Sequence, residues 1–258
     1  MRSRLFWCAA GLAVVQASAY AQTGFRGIVD HIHLAAPDQA AAVAWYREHF
    51  AGEPMAEGPD RLLFGETRVL IARNEKAQPS AGSSVDHIAF SVADLDGTMR
   101  TLQSRGVKVV EPARDVAGLF NAALVEDPWG TRIEVVQDPQ KLGLHHIHLR
   151  APEPSAALAW YAQMFGGRAA RLKNRVDGVE FGGVWILADA GAAPPSQGHS
   201  IDHIGFRPLN VDAAVAELKT KNVKVTSEPR ALTLPSGVAM RLAFVESPAG
   251  VRIELVQR

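Results

Sequence analysis

Histidine and glutamate recur at matched positions along the chain. A short phrase, in which an isoleucine follows the histidine, repeats at intervals of 56, 59 and 57 residues. Its four histidines are His31, His87, His146 and His203. An Arg-Ile-Glu phrase follows the second and fourth copies and supplies Glu134 and Glu254. Two neutral imidazoles and one carboxylate suit Fe(II), Mn(II), Zn(II), Ni(II) or Co(II) and leave coordination positions open for water or substrate. Each half of the chain therefore offers the ligand set of an open divalent-metal site.

Two further histidines, His33 and His148, lie two residues beyond proposed ligands. Because side chains alternate faces along a strand, we expect His33 to share a face with His31 and Asp30 to point to the opposite face. An imidazole titrates near neutral pH, so His33 and His148 are candidates for a general base or for donors beside the metal ligands. Structural packing is their alternative role. A site with two imidazoles and one glutamate has a net charge of about +1, which favours an anionic or chelating oxygen ligand.

These residues lie in a nested repeat, which indicates the architecture before any local detail. Residues 28–137 resemble residues 144–257, and each half divides again into two units of about fifty residues. Each unit has the pattern of an alternating strand, a helix and three short strands, with the second helix predicted over 95–105 and the fourth over 211–221. A sheet that is covered by helices on one face leaves its other face free to line a cleft. First-strand histidines and last-strand glutamates would converge there.

The N-terminus has the layout of a secretory signal peptide. Arg2 and Arg4 precede an apolar run at 5–15, and an A-x-A pattern at 19–21 predicts cleavage after Ala21. The run is too short for a spanning helix, and an uncleaved anchor is the alternative. We therefore expect a signal peptide at 1–21, a first domain at 22–138, a linker at 139–143 and a second domain at 144–258. The mature protein would be periplasmic or secreted, with no stable membrane anchor after cleavage.

The overall composition argues against several classes of partner and site. The chain has 27 basic and 27 acidic side chains, whereas a nucleic-acid binder usually carries a basic patch or stripe. The single cysteine, Cys8, would leave with the signal peptide, so no thiol would remain for metal binding or nucleophilic attack. A small-molecule substrate is the expected partner and no nucleic acid is expected. The pattern predicts no particular oligomeric state.

Three phrases around these residues resemble signature segments of the vicinal oxygen chelate superfamily, which includes glyoxalase I, fosfomycin-resistance proteins, bleomycin-binding proteins and extradiol dioxygenases. They are Asp-His-Ile-His-Leu at 30–34, Trp-Tyr at 45–46 and Asp-Pro-Trp-Gly-Thr-Arg-Ile-Glu at 127–134. The resemblance covers essentially the whole mature chain. It implies an α+β fold of four βαβββ modules that form two domains with half-barrel sheets, and a divalent metal as cofactor. The two implied ligand sets are His31, His87 and Glu134, then His146, His203 and Glu254.

Departures from the best-known members of this family guide the functional prediction. Glyoxalase I carries a further glutamate in the last strand of its first module, but this register holds Leu70, and Ile186 or Leu187 in the third module. Extradiol dioxygenases carry a tyrosine where this chain has Phe244 or Leu124. The leading interpretation is therefore a metal-dependent enzyme with lyase, isomerase or addition chemistry on a small oxygen-chelating substrate. The alternatives are an extradiol-type Fe(II) dioxygenase and a non-catalytic binding protein that sequesters a small molecule.

Overall fold

The computed structural model describes residues 24–258, so the predicted signal peptide at 1–21 lies outside the described residues. The described chain forms four successive modules, each with the order strand, helix and three strands. The first module comprises β1 (Phe25–Ala36), α1 (Gln39–Phe50), β2 (Glu53–Pro54), β3 (Arg61–Phe64) and β4 (Thr67–Arg73). The second comprises β5 (Val85–Ser91), α2 (Leu95–Ser104), β6 (Lys108–Val116), β7 (Phe120–Glu126) and β8 (Arg132–Val136). The third comprises β9 (Gly143–Ala151), α3 (Pro154–Phe165), β10 (Arg168–Leu172), β11 (Val176–Phe181) and β12 (Val184–Ala190). The fourth comprises β13 (Ile201–Pro208), α4 (Val211–Thr220), β14 (Lys224–Thr233), β15 (Ala239–Glu246) and β16 (Arg252–Gln257).

The four modules combine into two mixed sheets of eight strands. Sheet I has the strand order β14-β15-β16-β13-β1-β4-β3-β2, and sheet II has the order β10-β11-β12-β9-β5-β8-β7-β6. Each sheet is centred on an antiparallel pair of first strands, β1 with β13 in sheet I and β5 with β9 in sheet II. The predicted fold class, α+β with four βαβββ modules and half-barrel sheets, is confirmed.

The modules do not combine as the implied ligand sets require, because those sets need the two modules of each half to share a sheet. Sheet I joins the first module to the fourth, and sheet II joins the second to the third, so each sheet takes one module from each half of the chain. All four first strands carry a similar alternation of apolar residues with histidine. The sequence pattern therefore fits several pairings of these strands equally well, and long-range packing decides between them.

The helices begin and end where local chemistry places their boundaries. The side chains of Asp38, Asp94 and Asn210 accept backbone N–H groups at the start of α1, α2 and α4. These contacts satisfy donors that a helix N-terminus leaves without a partner. Past α2 and α4, Gly106 and Asn222 adopt positive φ angles of 78° and 59°, which stop both helices. In the described chain, no helix is long and apolar enough to cross a membrane.

The helix-covered faces of the two sheets share one hydrophobic core. Ile32 of β1 and Ile204 of β13 are fully buried in this core, on the opposite side of the strands from the histidines. Phe165 of α3, which belongs to a module of sheet II, stacks on Phe206 of sheet I with ring centroids 4.3 Å apart. Phe50 of α1 stacks in the same way on Phe90 of sheet II, at 4.5 Å. Each sheet is therefore packed by a helix that belongs to the other sheet.

Candidate metal centres

A β-bulge precedes each of the four repeated histidines. In β1, two steps along the chain from Val29 to His31 match a single step on β13, so Asp30 is the extra residue. The extra residues in the other three first strands are Asp86, His145 and Asp202. A bulge bends the strand and re-aims a side chain. The residue before each histidine therefore turns toward the histidine ring, and the expectation that Asp30 points away from His31 is wrong.

The first centre, site 1, lies on the open face of sheet I and consists of His31, His33, His203 and Glu254. One possible ligand atom from each residue lies within 4.8 Å of the others. Glu254 Oε2 is 3.2 Å from His31 Nε2 and 3.0 Å from His203 Nε2. His33 faces His203 across the β1–β13 pair, and its Nδ1 is 3.0 Å from His203 Nε2. Four strand residues therefore aim three imidazoles and one carboxylate at a common point.

Aspartates hold the outer nitrogens of two site 1 histidines. His31 Nδ1 donates to Asp30 at 2.9 Å, and His203 Nδ1 donates to Asp202 at 2.6 Å. Arg258, the last residue of the chain, donates to both carboxylate oxygens of Asp30 at 2.9 and 2.8 Å. Because an ionised carboxylate only accepts hydrogen bonds, Nδ1 of each ring carries a proton. When Nε2 is not protonated, its lone pair is therefore directed into the centre, as in metal-binding histidines.

Burial and these contacts set the charges in site 1. Burial raises the pKa of Glu254, but its interactions with His203 and His31 outweigh burial, so this pKa lies well below its usual range. Burial lowers the pKa of His31, but the interactions with Asp30 and Glu254 dominate and raise this pKa to about 9. Burial holds the pKa of His33 well below its usual range, and the neighbouring His203 and His31 lower it further. A divalent ion would therefore displace a proton from His31, while His33 is neutral at pH 7.

The second centre, site 2, lies on the corresponding face of sheet II and consists of His87, His146, His148 and Glu134. The ring nitrogens of the three histidines lie within 4.8 Å of one another. His146 Nε2 is 3.3 Å from Glu134 Oε2, and His148 faces His87 across the β5–β9 pair. The side chains of His87, His148 and Glu134 are 13 %, 16 % and 19 % exposed. Site 2 therefore lies close to solvent.

Site 2 has a histidine at one of the positions that aspartates occupy in site 1. His145 replaces the bulge aspartate, and its Nδ1 is 2.9 Å from His146 Nδ1. For His146 Nε2 to bind a metal, the His146 proton must lie on Nδ1 and be donated to His145. The proton of His145 then lies on Nε2, which is 3.6 Å from Asp138 Oδ2. In site 2, His145 therefore lies between the metal ligand His146 and the carboxylate of Asp138, whereas in site 1 the aspartate contacts the ligand directly.

This replacement changes the charge state of the buried histidine. Burial lowers the pKa of His146 to about 3, because the interaction with Glu134 only partly offsets the loss of solvent. Burial raises the pKa of Glu134, but the interaction with His146 outweighs it and lowers this pKa to about 2. His146 is therefore neutral at pH 7 without any metal, in contrast to His31.

The structure brings together all six predicted metal ligands, but in different sets from those that the resemblance implies. Site 1 contains His31 from the first half with His203 and Glu254 from the second. Site 2 contains His87 and Glu134 from the first half with His146 from the second. The cause is the pairing of β1 with β13 and of β5 with β9, which carries one histidine of each half into the opposite sheet.

The two histidines proposed for acid–base roles, His33 and His148, lie inside these clusters. Each is close enough to the metal ligands to serve as a fourth ligand. The sequence indicated no fourth ligand, because apolar residues such as Leu70 occupy the position where glyoxalase I has its further glutamate. A catalytic role for His33 and His148 stays a prediction.

Gly205 is a site residue that the sequence analysis missed. It faces His31 across the β1–β13 pair, and a Cβ atom at this position would lie 2.1 Å from His31 Cε1. The absence of a side chain therefore makes room for the imidazole. Ala89 occupies the matched position of sheet II, opposite His146. The sequence held one signal for this role, which is the glycine of Gly205-Phe206 where the otherwise similar phrase Ala89-Phe90 has an alanine.

Site 1 lines a cavity of about 470 Å³. This volume is in the range of small-molecule sites. His31, His33, His203 and Glu254 form one part of its lining. Most of the remaining lining comes from β3, β4, the β14–β15 hairpin and the C-terminal residue. A ligand of modest size can therefore reach the centre from solvent.

Buried ring nitrogens without a hydrogen-bond partner fit a metal at both centres. They are the Nε2 atoms of His31, His87, His146 and His148. Buried polar atoms normally have a partner, and a metal ion is one explanation for atoms that lack one. Imidazole nitrogens with a carboxylate oxygen form a donor set for Fe, Mn, Zn, Ni or Co. Each centre can therefore hold a divalent metal through the residues named above.

Comparisons with known proteins agree with this architecture. The sequence model of the Glyoxalase/Bleomycin resistance protein/Dioxygenase superfamily matches residues 28–135 and 143–255. The structure is similar to glyoxalase I from Zea mays, with 18 % identity and a TM-score of 0.72 over 89 % of this chain and 92 % of that chain. The V278E mutant of the same maize enzyme gives 18 % identity and a TM-score of 0.71 over the same shares of both chains.

At these identities the solved structures establish a shared fold only. No curated protein matches the chain. The family match covers both halves and most of the chain, and it includes every residue of sites 1 and 2. The chain belongs to the Glyoxalase/Bleomycin resistance protein/Dioxygenase superfamily.

Proposed function

We propose that this protein is a divalent-metal-dependent enzyme that acts on a small, oxygen-chelating substrate at site 1. The observation that carries the proposal is the clustering of His31, His203 and Glu254 in the lining of the 470 Å³ cavity. A bound metal would supply Lewis-acid polarisation of a substrate oxygen. Lyase, isomerase or addition chemistry follows from that role, because each needs an electron-poor carbon or a stabilised oxyanion.

The chain's own residues would orient the ligands and handle a proton. Asp30 and Asp202 hold the rings of His31 and His203 by their Nδ1 atoms, which fixes the direction of both Nε2 atoms. His33 is neutral at pH 7 and lies beside His203, which makes its ring the candidate group for exchanging a proton with a substrate held there.

Phe244 occupies the position next to His203 where a phenol would serve ring cleavage, with ring centroids 5.3 Å apart. This residue has no group that can exchange a proton. Lyase, isomerase or addition chemistry is therefore favoured over ring cleavage of catechols. Oxygen uptake by the Fe(II)-loaded protein with catechol would instead favour ring cleavage.

Metal content of the purified mature protein tests the first part of the proposal. We expect two equivalents of a divalent transition metal after reconstitution with Mn(II) or Zn(II), and one equivalent in His203→Ala. Because site 1 has open positions, bound Mn(II) should also relax water protons strongly. A protein that binds no metal after reconstitution would refute the proposal. A metal-loaded protein that binds chelating ligands but turns none of them over would support the sequestration alternative.

We also propose that residues 1–21 are removed on export and that the mature protein is periplasmic or secreted. Arg2, Arg4 and the A-x-A pattern at 19–21 support this proposal. N-terminal sequencing of protein from a fractionated host tests it, with Gln22 expected as the first residue. A protein that keeps Met1 and stays in the cytosolic fraction would contradict it.

A further inference from the structure

The cavity above site 1 has an apolar wall on one side. Alternate residues of the β14–β15 hairpin face it. They are Leu232, Leu234, Met240, Leu242 and Phe244. Leu70 of β4 lines the cavity from the other side of the central strands. Such a lining favours the burial of an apolar group, and each methylene that it covers contributes to affinity. The metal ligands alone do not require this wall.

One cation stands beside this wall without an internal partner. Arg230 of β14 lines the cavity and is exposed. Among residues 24–258, no carboxylate lies within ion-pair distance of Arg230. The other arginines of the lining are paired. Arg61 donates to Asp60, Arg73 to Glu75, Arg252 to Asp202 and Arg258 to Asp30. Arg230 is therefore the guanidinium in this cavity that remains available to a ligand.

The corresponding hairpin of sheet II differs in the pairing of its arginine and in the length of its turn. Arg114 stands at the position that matches Arg230, and its Nε is 3.4 Å from a carboxylate oxygen of Glu111. The β6–β7 turn covers only residues 117–119, whereas the β14–β15 turn covers 234–238. Phe120, at the end of the shorter hairpin, packs on His145 with ring centroids 5.6 Å apart. The longer hairpin with its unpaired arginine thus belongs to site 1.

We propose that the ligand of site 1 is a small amphipathic acid with three parts. Its vicinal oxygens bind the metal that His31, His203 and Glu254 would hold, its apolar segment lies on the β14–β15 hairpin, and a distal carboxylate pairs with Arg230. This inference rests on the proposed metal function and adds the substrate class. A single guanidinium can pair with a carboxylate through two parallel N–H···O bonds.

Three related acids separate the contributions of the metal, the apolar hairpin and Arg230 to binding. 4-Carboxymandelate carries vicinal oxygens, a ring and a distal carboxylate. Mandelate lacks the distal carboxylate, and malate lacks the ring. With the Zn(II)-loaded protein in a calorimeter, we expect 4-carboxymandelate to bind roughly three- to fivefold more tightly than mandelate, the upper range for an exposed ion pair. This advantage should shrink at high ionic strength.

Matched variants in the two hairpins provide the controls. Arg230→Gln should remove the advantage of 4-carboxymandelate and leave mandelate binding unchanged. Leu232→Ser should weaken both aromatic acids and leave malate unchanged. Arg114→Gln and Val116→Ser, at the matched positions of sheet II, should change none of the three affinities. Bound zinc is measured in every sample, so that loss of metal is distinguished from loss of ligand contacts.

The results distinguish failure of the substrate class from failure of the metal proposal. If Arg230→Gln keeps its full zinc content and binds 4-carboxymandelate as the wild type does, the substrate class is overturned while the metal proposal stands. If none of the acids binds the zinc-loaded protein, the substrate class is likewise overturned. If the wild type retains no zinc, the proposed function fails, and the inference that rests on it fails as well.

Discussion

At the scale of single residues, small differences at matched positions give the two centres different environments. Gly205 leaves room for the His31 ring in site 1, whereas Ala89 lies opposite His146 in site 2. The bulge residue beside His31 is an aspartate, whereas the one beside His146 is His145. Because ligand affinity depends on how firmly each ring is held, we expect the two centres to respond separately to substitution.

Substitution of Gly205 tests the close approach. In Gly205→Ala, the new Cβ would lie 2.1 Å from His31 Cε1, so the ring must move from its bond to Asp30 and from its position beside Glu254. We expect metal affinity at site 1 to fall by about 10- to 100-fold, the usual cost of a misoriented ligand. Competition with a chelator measures this affinity. The reverse change in sheet II, Ala89→Gly, should leave site 1 unaffected, and unchanged affinity in Gly205→Ala would contradict the argument.

The pKa of His31 predicts a pH-dependent stability of the metal-free protein. The folded-state pKa is raised from 6.5 to about 9, so the contribution of His31 is fully present below pH 6.5 and is lost as the pH rises through 9. A shift of this size corresponds to about 3 kcal/mol. We therefore expect the free energy of unfolding in urea, measured with chelator present, to fall by about this amount between pH 6.5 and 9.5.

Two variants show whether His31 is responsible. His31→Gln should flatten the stability profile over this window. His146→Gln should retain the wild-type fall, because the folded-state pKa of His146 is lowered to about 3 and this ring is already neutral above pH 6.5. Identical profiles for the wild type and His31→Gln would show that other groups cause the dependence.

At the scale of elements, the first strands decide which histidines share a metal. β1 pairs with β13 and β5 with β9, so His31 and His203 share site 1 although they lie 172 residues apart in the sequence. His31 and His87 lie in the same half but in different sheets. Double substitution therefore distinguishes the observed pairing from one in which each half forms its own site.

Metal stoichiometry provides the measurement. His31→Ala with His203→Ala should lose one equivalent of two, because both changes fall in site 1. His31→Ala with His87→Ala should lose both equivalents, because each centre loses a ligand. The reverse result would mean that each half builds its own centre. Circular dichroism of both double variants controls for loss of folding.

The sequence predicts which residues belong to the candidate metal sites, but it does not predict which of them share a site. The period of two along a strand correctly directs His31 and His33 to one face and Ile32 to the other, and the helix stops at Gly106 and Asn222 follow from local chemistry. Strand pairing and the bulges depend on contacts between distant segments, which no local pattern records. Asp30 lies beside the His31 ring for that reason, against the alternation rule.

At the scale of the whole molecule, the two centres lie on sheets that share a single core. Helix α3 begins and ends within the third module, yet its Phe165 packs on Phe206 of sheet I and is fully buried. Helix α1 of the first module packs on sheet II in the same way through Phe50 and Phe90. Since each sheet loses an aromatic helix contact without the other, we expect the described chain to unfold as one cooperative unit.

Truncation of Phe165 tests this coupling. Phe165→Ala removes a buried ring from the junction between the sheets and should lower the free energy of unfolding by about 3–5 kcal/mol, the cost of a large cavity in a core. The metal-loaded variant should still unfold in one urea transition, with circular dichroism and metal release from both centres changing together, because the lost contact supports both sheets. Phe165→Leu should lose less stability and show the same coincidence. Release of metal from site 1 at a lower urea concentration than from site 2 would show instead that the sheets unfold independently.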